Sequence, residues 1–345
     1  MVAENRLRNS SERDDLIMAN IQKYFEQFHD RIRTDYEMNS TLREKRDILL
    51  ERIRKYLKDQ GLPLFEKMDQ GSYAMKTGVI PVGREYDIDV GLYFPFSETE
   101  HSAADVRSWI RKAVAGHTSE IEDKGPCCRV IYSDGYHVDL VMYASWEENG
   151  GPVQNRLAHK KRGWRPADPA RLLEYVESVR SRYESTEDTI TKVDQFRRVV
   201  RCLRRWDDVR ISKESSAKPS GLGYVLLTDK NTSPQKTLDG KPDDRMCLEQ
   251  FALNTSGVMG RLTAFKPTPE HEDVLAKVSD DDQVELKEKL KALFGVLSAA
   301  GMEPDPVKAC TTLQVQFGAD FPVPEPEDTA KKSKSPAIVT SSSSA

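Results

Sequence analysis

Long apolar runs are missing from this chain. Nowhere does it approach the roughly 18–20 consecutive apolar residues of a membrane-spanning helix, so no membrane partner is expected. The opening residues, MVAENRLRNSSERDD, carry charge where a secretory leader would be apolar. Cysteine is scarce, five in all, and an odd, scattered set argues for a reducing, cytoplasmic setting over a disulfide framework. A basic surplus is also absent, the formal net charge being −4. Proteins that grip long nucleic acid through its phosphates carry a basic excess or a basic face. A general DNA or RNA binder is therefore disfavoured, whereas a small anionic ligand needs only a few local cations. No internal repeat is visible. What remains is ordinary for a globular protein, with 38% hydrophobic and 31% charged residues, and 345 residues suit two domains or one bilobal unit.

Ile17, Ile21, Tyr24, Phe28 and Ile32 recur at helical spacing. A second helix is expected from Thr41, which stands at capping-box spacing from Glu44; Leu49, Ile53 and Leu57 form its stripe and Gly61 its stop. From about residue 62 the texture changes. LFEKM, REYDIDVGLYFPF, CCRVIYSDG and YHVDLVMYA read as strands, with a helix in EHSAADVRSWIRKAVAG between the second and third. That order implies an α+β fold, a mixed sheet backed by helices. Helices return after about 165: Asp168-Pro169 is a start signal, Phe196, Val199, Val200 and Leu203 mark another helix, and Ser279 caps a last one ending near Gly301. From about 321 the chain turns polar and rich in proline and serine, and is expected to be disordered.

Asp87 and Asp89 lie in YDIDVGLYF, so the two-residue strand period puts both carboxylates on one sheet face. Like charges so close repel, and a divalent cation with hard oxygen ligands relieves them. Asp139 stands alone among apolar and aromatic residues of YHVDLVMYA, where a carboxylate needs a partner. Upstream, Gly71-Ser72 provides a turn in which backbone N–H groups and a hydroxyl can approach a phosphate. An isolated Asp-x-Asp is usually a solvated strand face, and Gly-Ser a plain loop. Combined, three carboxylates and a phosphate turn suit two-metal nucleotidyl transfer, with Asp139 bridging or acting as base.

Gly-Ser, then Asp-x-Asp, then a lone Asp on a later strand resembles the nucleotidyltransferase pattern of the DNA polymerase β superfamily. Within it, GSYAMKTGVIPVGREYDIDVGLYFPF, HVDLVMYA, RGWRPADP, RCLRRWDD and KPSGLGYVLL are similar, in order, to blocks of the cGAS/DncV-like nucleotidyltransferases of bacterial anti-phage (CBASS) systems. The resemblance covers roughly residues 70–228. It implies a polymerase β-like mixed sheet with a helical C-terminal lobe, divided as 1–61 scaffold helices, 62–165 catalytic core, 166–320 helical lobe completing the cleft and 321–345 tail. It implies a cyclic di- or trinucleotide second messenger made from ATP, alone or with GTP or another triphosphate, and two Mg²⁺ ions (or Mn²⁺) on Asp87, Asp89 and Asp139. A downstream effector would sense the product.

Arg197, Arg201 and Arg204 share one flank of the helix near 192–208, where a solvated basic face is the rival reading. The family's phosphate-binding lysine falls where this chain has Arg204, which keeps the charge but changes the geometry. Ser220 in AKPSG matches a serine that contacts the triphosphate, with Lys218 assisting. Arg129 aligns with a residue that reads the acceptor base, its rival role being a surface salt bridge. HKKRGWRP is a basic run that either borders the cleft or solvates a loop. Adjacent Cys127 and Cys128, with His117 and His137 nearby, lack a fourth zinc ligand and read as buried packing residues; with the acidic charge, this argues against a DNA activator. In some operons of the resembled family a ubiquitin-transfer-like enzyme joins the C-terminus, here Ala345, to a target. Two other functions stay open: an RNA-tailing nucleotidyltransferase, and an inactive nucleotide-binding scaffold that keeps the fold.

Overall fold

The computed structural model describes residues 21–34, 36–82, 86–148, 150–211, 215 and 218–326. Its first helices, α1 (Gln22–Ile32) and α2 (Tyr36–Asp59), serve different cores. Tyr24, Phe25, Phe28 and Ile32 of α1 pack among the C-terminal helices, while Leu42, Leu49, Leu50, Ile53 and Leu57 of α2 cover the sheet. The two helices read as scaffold from sequence thus belong to two different cores. Thr41 is not a cap: α2 starts at Tyr36, because Met38 and Leu42 extend its apolar stripe backwards at helical spacing. Gly61, at φ 65°, follows the helix end as the sequence implies.

Then come β1 (Glu66–Gln70), the single turn α3 (Gly71–Ala74), β2 (Tyr86–Phe94), α4 (Ala103–Val114), β3 (Glu120–Asp123), β4 (Cys128–Ile131), β5 (Tyr136–Trp146), β6 (Gln154–His159) and β7 (Gly163–Pro166). They build one mixed sheet in the order β1-β2-β5-β4-β3, with β6 also paired to β5 and β7 to β6. Only β2 and β5 run parallel, and α4 lies on the crossover between them. Alternation does the rest. Ile88, Val90, Leu92, Val138, Leu140 and Met142 face α2 and α4 and are fully buried. The opposite face carries Asp87, Asp89, Asp139, Val141 and Tyr143.

The remaining helices, α5 (Pro169–Ser181), α6 (Gln195–Arg210), α7 (Gly221–Asn231), α8 (Asp244–Ser256), α9 (Asp280–Met302) and α10 (Pro306–Phe317), gather with α1 around Phe196, Leu203, Trp206, Phe251, Leu290 and Leu313. Asp168 and Ser279 cap α5 and α9 as the sequence implies. The basic flank of α6 is not solvated: Arg197 and Arg201 are 3% and 7% exposed. Arg197 holds Asp194, while Arg201, Arg204 and Arg205 clamp the link between α3 and β2. Arg201 donates to the carbonyls of Lys76 and Gly78, Arg204 to Thr77 at 2.7 Å, and Arg205 to Ile80 at 2.5 Å. Arg201 also meets His29 at 2.7 Å. Burial, then four nearby arginines, push the His29 pKa down to about 2, so the imidazole is neutral and accepts.

The expected boundary of disorder at 321 is too early. Phe321 is fully buried, its ring 5.1 Å from those of both Phe25 and Phe28 and 5.7 Å from Phe317. One aromatic side chain filling a gap between α1 and α10 outweighs the proline-rich composition around it. The rest of the expected tail, with Ala345, lies largely outside the described residues. Phe321→Ala should lower unfolding free energy by ~3–5 kcal/mol, measured by urea denaturation; an unchanged midpoint would contradict this packing.

Candidate active site

Asp87 and Asp89 leave β2 on the same side, and Asp89 is in direct register with Asp139 on β5. β1 pairs Gln70 with Asp89, so the chain leaves the sheet at that point and turns into α3 directly above the carboxylate. The turn requires glycine. Gly71 has φ 66°, and a Cβ there would lie 1.9 Å from Asp89 Oδ2. Between sheet and helical lobe lies a cavity of about 390 Å³ that collects Gly71, Ser72, Asp87, Asp89, Asp139 and Arg204.

Three sequence candidates sit beside this cavity. Arg129, opposite Asp139 on β4, grips that carboxylate with Nε and Nη2, each at 2.7 Å. Lys218 is paired with Asp207 at 2.9 Å and Asp208 at 2.6 Å, and lines a smaller adjoining cavity of about 150 Å³ that also touches Asp87 and Arg204. Ser220 caps α7, accepting from the Gly223 N–H at 3.1 Å. That capping duty is a structural role for Ser220 alongside the one expected from sequence.

The electrostatics are those of crowded anions. Burial, then the charges of Asp87 and Asp139, push the Asp89 pKa up to about 7, against the pull of Arg129 and Arg204. Arg204 is itself destabilised by burial and drawn back by Asp87, Asp208, Asp207 and Asp89. Among the described residues no group of three or more His, Cys, Asp or Glu is already gathered in metal-holding geometry. The reason at this site is visible: Asp139 is turned to Arg129. The donor set still fits a hard divalent cation, since three carboxylate side chains on one sheet face leave one of them short of compensating charge.

Cys127 and Cys128 are both buried but on opposite sides, Cys127 lining the cavity and Cys128 in the core under α4, so they do not share one ion. His117 bonds the Tyr132 hydroxyl at 2.9 Å. The basic tip of the β6–β7 hairpin, 160–162, is exposed and does not line the cavity, although Leu157 and Ala167 at the hairpin's base do. Sequence reasoning missed Lys266 and Glu270, which reach the cavity from the connection between α8 and α9. KPTPEHED reads locally as a surface loop; only the three-dimensional path brings it over the sheet.

A mixed sheet with Asp-x-Asp on one strand, a third aspartate on its parallel neighbour, a glycine turn above them and a helical lobe across the cleft defines the polymerase β type of nucleotidyltransferase fold. Residues 66–143 match the family model of the DncV-like nucleotidyltransferases, described as "Cyclic GMP-AMP synthase DncV-like, nucleotidyltransferase domain". Over that stretch the chain is similar to the cGAS/DncV-like nucleotidyltransferases. Solved structures extend the likeness over the fold. The DncV cyclic AMP-GMP synthase of Vibrio cholerae superposes with TM-score 0.69 at 17% identity, covering 88% of this chain and 97% of that one. CdnC of E. coli MS115-1 with ATP gives TM-score 0.63 at 18% identity, covering 87% and 98%.

Two outcomes are expected at this site. Gly71→Ala should lower stability by at least ~1 kcal/mol and displace Asp89, read by urea unfolding and by loss of ATP binding in calorimetry; wild-type behaviour would refute the close approach. The second concerns pH. Because folding raises the Asp89 pKa from 3.8 to about 7, the native state holds a proton that the unfolded chain has lost. In EDTA, stability should therefore fall as pH rises through that window. Asp89→Asn should remove ~2–3 kcal/mol of the decline between pH 5 and 8, measured by urea titrations; equal pH slopes for variant and wild type would contradict it.

Proposed function

We propose that this protein joins ribonucleoside triphosphates into a cyclic di- or trinucleotide, with ATP as one substrate and GTP or another triphosphate as the second, as a cytoplasmic signal in anti-phage defence. The observation that carries the proposal is the register of Asp89 with Asp139, beside Asp87 and beneath the Gly71 turn, inside a cavity bounded by the helical lobe. Relatives of the same fold support it: DncV is described as a cyclic AMP-GMP synthase, and its structures include complexes with ATP and GTP and with the linear intermediate 5′ pppA(3′,5′)pG.

In this reading residues 62–165 are the catalytic core and 166–320 complete the cleft, with α1 allied to the lobe. Asp87, Asp89 and Asp139 would hold two Mg²⁺ (or Mn²⁺), which would neutralise charge on the triphosphate and acidify the attacking hydroxyl. A ribose hydroxyl oxygen bonds to the α-phosphorus as the bond to pyrophosphate breaks, and the hydroxyl proton passes to Asp139 or to water. Backbone N–H groups at Gly71-Ser72 and the Ser72 hydroxyl hold the phosphates. Arg204 adds a fixed cation in a site that excludes water, where it acts more strongly than in bulk solvent. Lys218, from the adjoining cavity, and Ser220, at the start of α7, bind the outer phosphates. Arg129 holds both oxygens of Asp139 and would be free to turn to the acceptor nucleotide once that carboxylate took a cation.

Asp87→Asn combined with Asp89→Asn should reduce pyrophosphate release from mixed NTPs and Mg²⁺ by at least ~10³-fold while circular dichroism stays native. Wild-type product should resist phosphatase and show a cyclic mass. Substantial turnover by the folded double variant would sink the metal assignment; extended RNA among the products would favour a tailing enzyme.

A further inference from the structure

The cavity is longer than its catalytic end. From Asp139 to Tyr143 the β5 backbone runs about 13 Å, a span that ribose and purine can fill. Beyond the aspartates the walls turn apolar, formed by Val141, Tyr143, Leu172, Leu222 and Val225, a surface suited to the faces of a planar base. Glu270 and Lys266 complete the lining, Glu270 close enough to Tyr143 for its charge to act on that hydroxyl. Their connection is a built structure. Lys266 N–H donates to the Glu272 carbonyl at 3.0 Å and Val274 N–H to the Ala264 carbonyl at 2.9 Å. Asp273 Oδ1 accepts from the backbone of Ala264 and Leu275 at 2.9 and 3.0 Å.

One atom there has no bond. Glu270 Oε2 is buried and without a hydrogen-bond partner, and Oε1 has only Lys266 Nζ at 3.8 Å, an ammonium that leans on Glu272 at 2.8 Å. The Glu270 side chain is 15% exposed. A buried carboxylate oxygen without a donor is costly to maintain, and a turn of the Glu270 side chain, which lines the cavity, would bring it to a ligand donor.

We infer that Glu270 and Lys266 select guanine at this end of the cavity. The two carboxylate oxygens accept from guanine N1–H and the exocyclic N2 amino group, and the adjacent Lys266 ammonium donates to O6. Donor, donor, acceptor along one edge matches carboxylate beside ammonium. Adenine offers an amino donor next to the N1 lone pair, which would face a carboxylate oxygen. Uracil offers a single N–H flanked by two carbonyls. A bidentate, charge-assisted pair of this kind discriminates by about 1–3 kcal/mol, or about 10–100-fold. The inference rests on the nucleotidyl-transfer reading and adds to it the identity of one base.

Calorimetric titration of the whole chain, with Ca²⁺ replacing Mg²⁺ to prevent turnover, tests it with GTP, ATP and ITP. ITP lacks only the N2 amino group. Wild-type protein should bind GTP at least ~10-fold more tightly than ITP or ATP, and Glu270→Gln should bring the GTP/ITP ratio near one. Equal wild-type affinities for GTP and ITP, or an unchanged ratio in Glu270→Gln, would overturn the inference. The wild-type comparison does not depend on the variant folding. Pyrophosphate release without guanine preference would refute base selection while nucleotidyl transfer stood; failure of every NTP to bind would remove both.

Discussion

The grip of α6 on the backbone between α3 and β2 holds the two halves of this molecule in one geometry. Three arginines along that helix donate to four successive or near-successive carbonyls, those of Lys76, Thr77, Gly78 and Ile80. The clamped segment joins the Gly71 turn to the Asp-x-Asp strand, so fixing it fixes both against the helical lobe. Charged donors bond carbonyls more strongly than neutral ones do, and burying the guanidinium groups makes losing a bond costly. Neutral His29 takes one Arg201 N–H at 2.7 Å, so that bond needs no carboxylate.

Charge at the site follows from that scaffold. Arg204 anchors the link with one nitrogen and lies close enough to Asp87 and Asp89 to feel both. Arg129 does the equivalent for Asp139 from the neighbouring strand. Two arginines thus hold together a carboxylate cluster that would otherwise repel itself. Pre-arranged charge of this kind needs little reorganisation at the moment of reaction.

The parts of the site legible in sequence were those with a local signature. Asp87 and Asp89 declare a shared face through the strand period, Asp139 is conspicuous among apolar neighbours, and Asp168-Pro169 and Ser279 are caps that act within one turn. What was not legible depends on which surfaces meet. Arginines of α6 read as phosphate contacts or as a solvated flank, because nothing local reveals a row of carbonyls across the lobe boundary. Phe321 is hidden between prolines, and only the space left by Phe25, Phe28 and Phe317 gives it a place. α1 and α2 look alike as amphipathic helices, yet one covers helices and the other a sheet. Lys266 and Glu270 sit in a stretch with no periodicity, placed by a fold path that no short window contains.

The in-register pairing of Asp89 with Asp139 gives the site a parity. Inserting or deleting one residue in β5 would exchange its two faces, sending Asp139 into the core beneath α2 and bringing Val138 or Leu140 to the cleft. A two-residue change would restore the face but carry the carboxylate about 7 Å along the strand, out of line with Asp89. Length variation in this protein is therefore confined to the connections, and the central pair of strands can drift in composition but not in count.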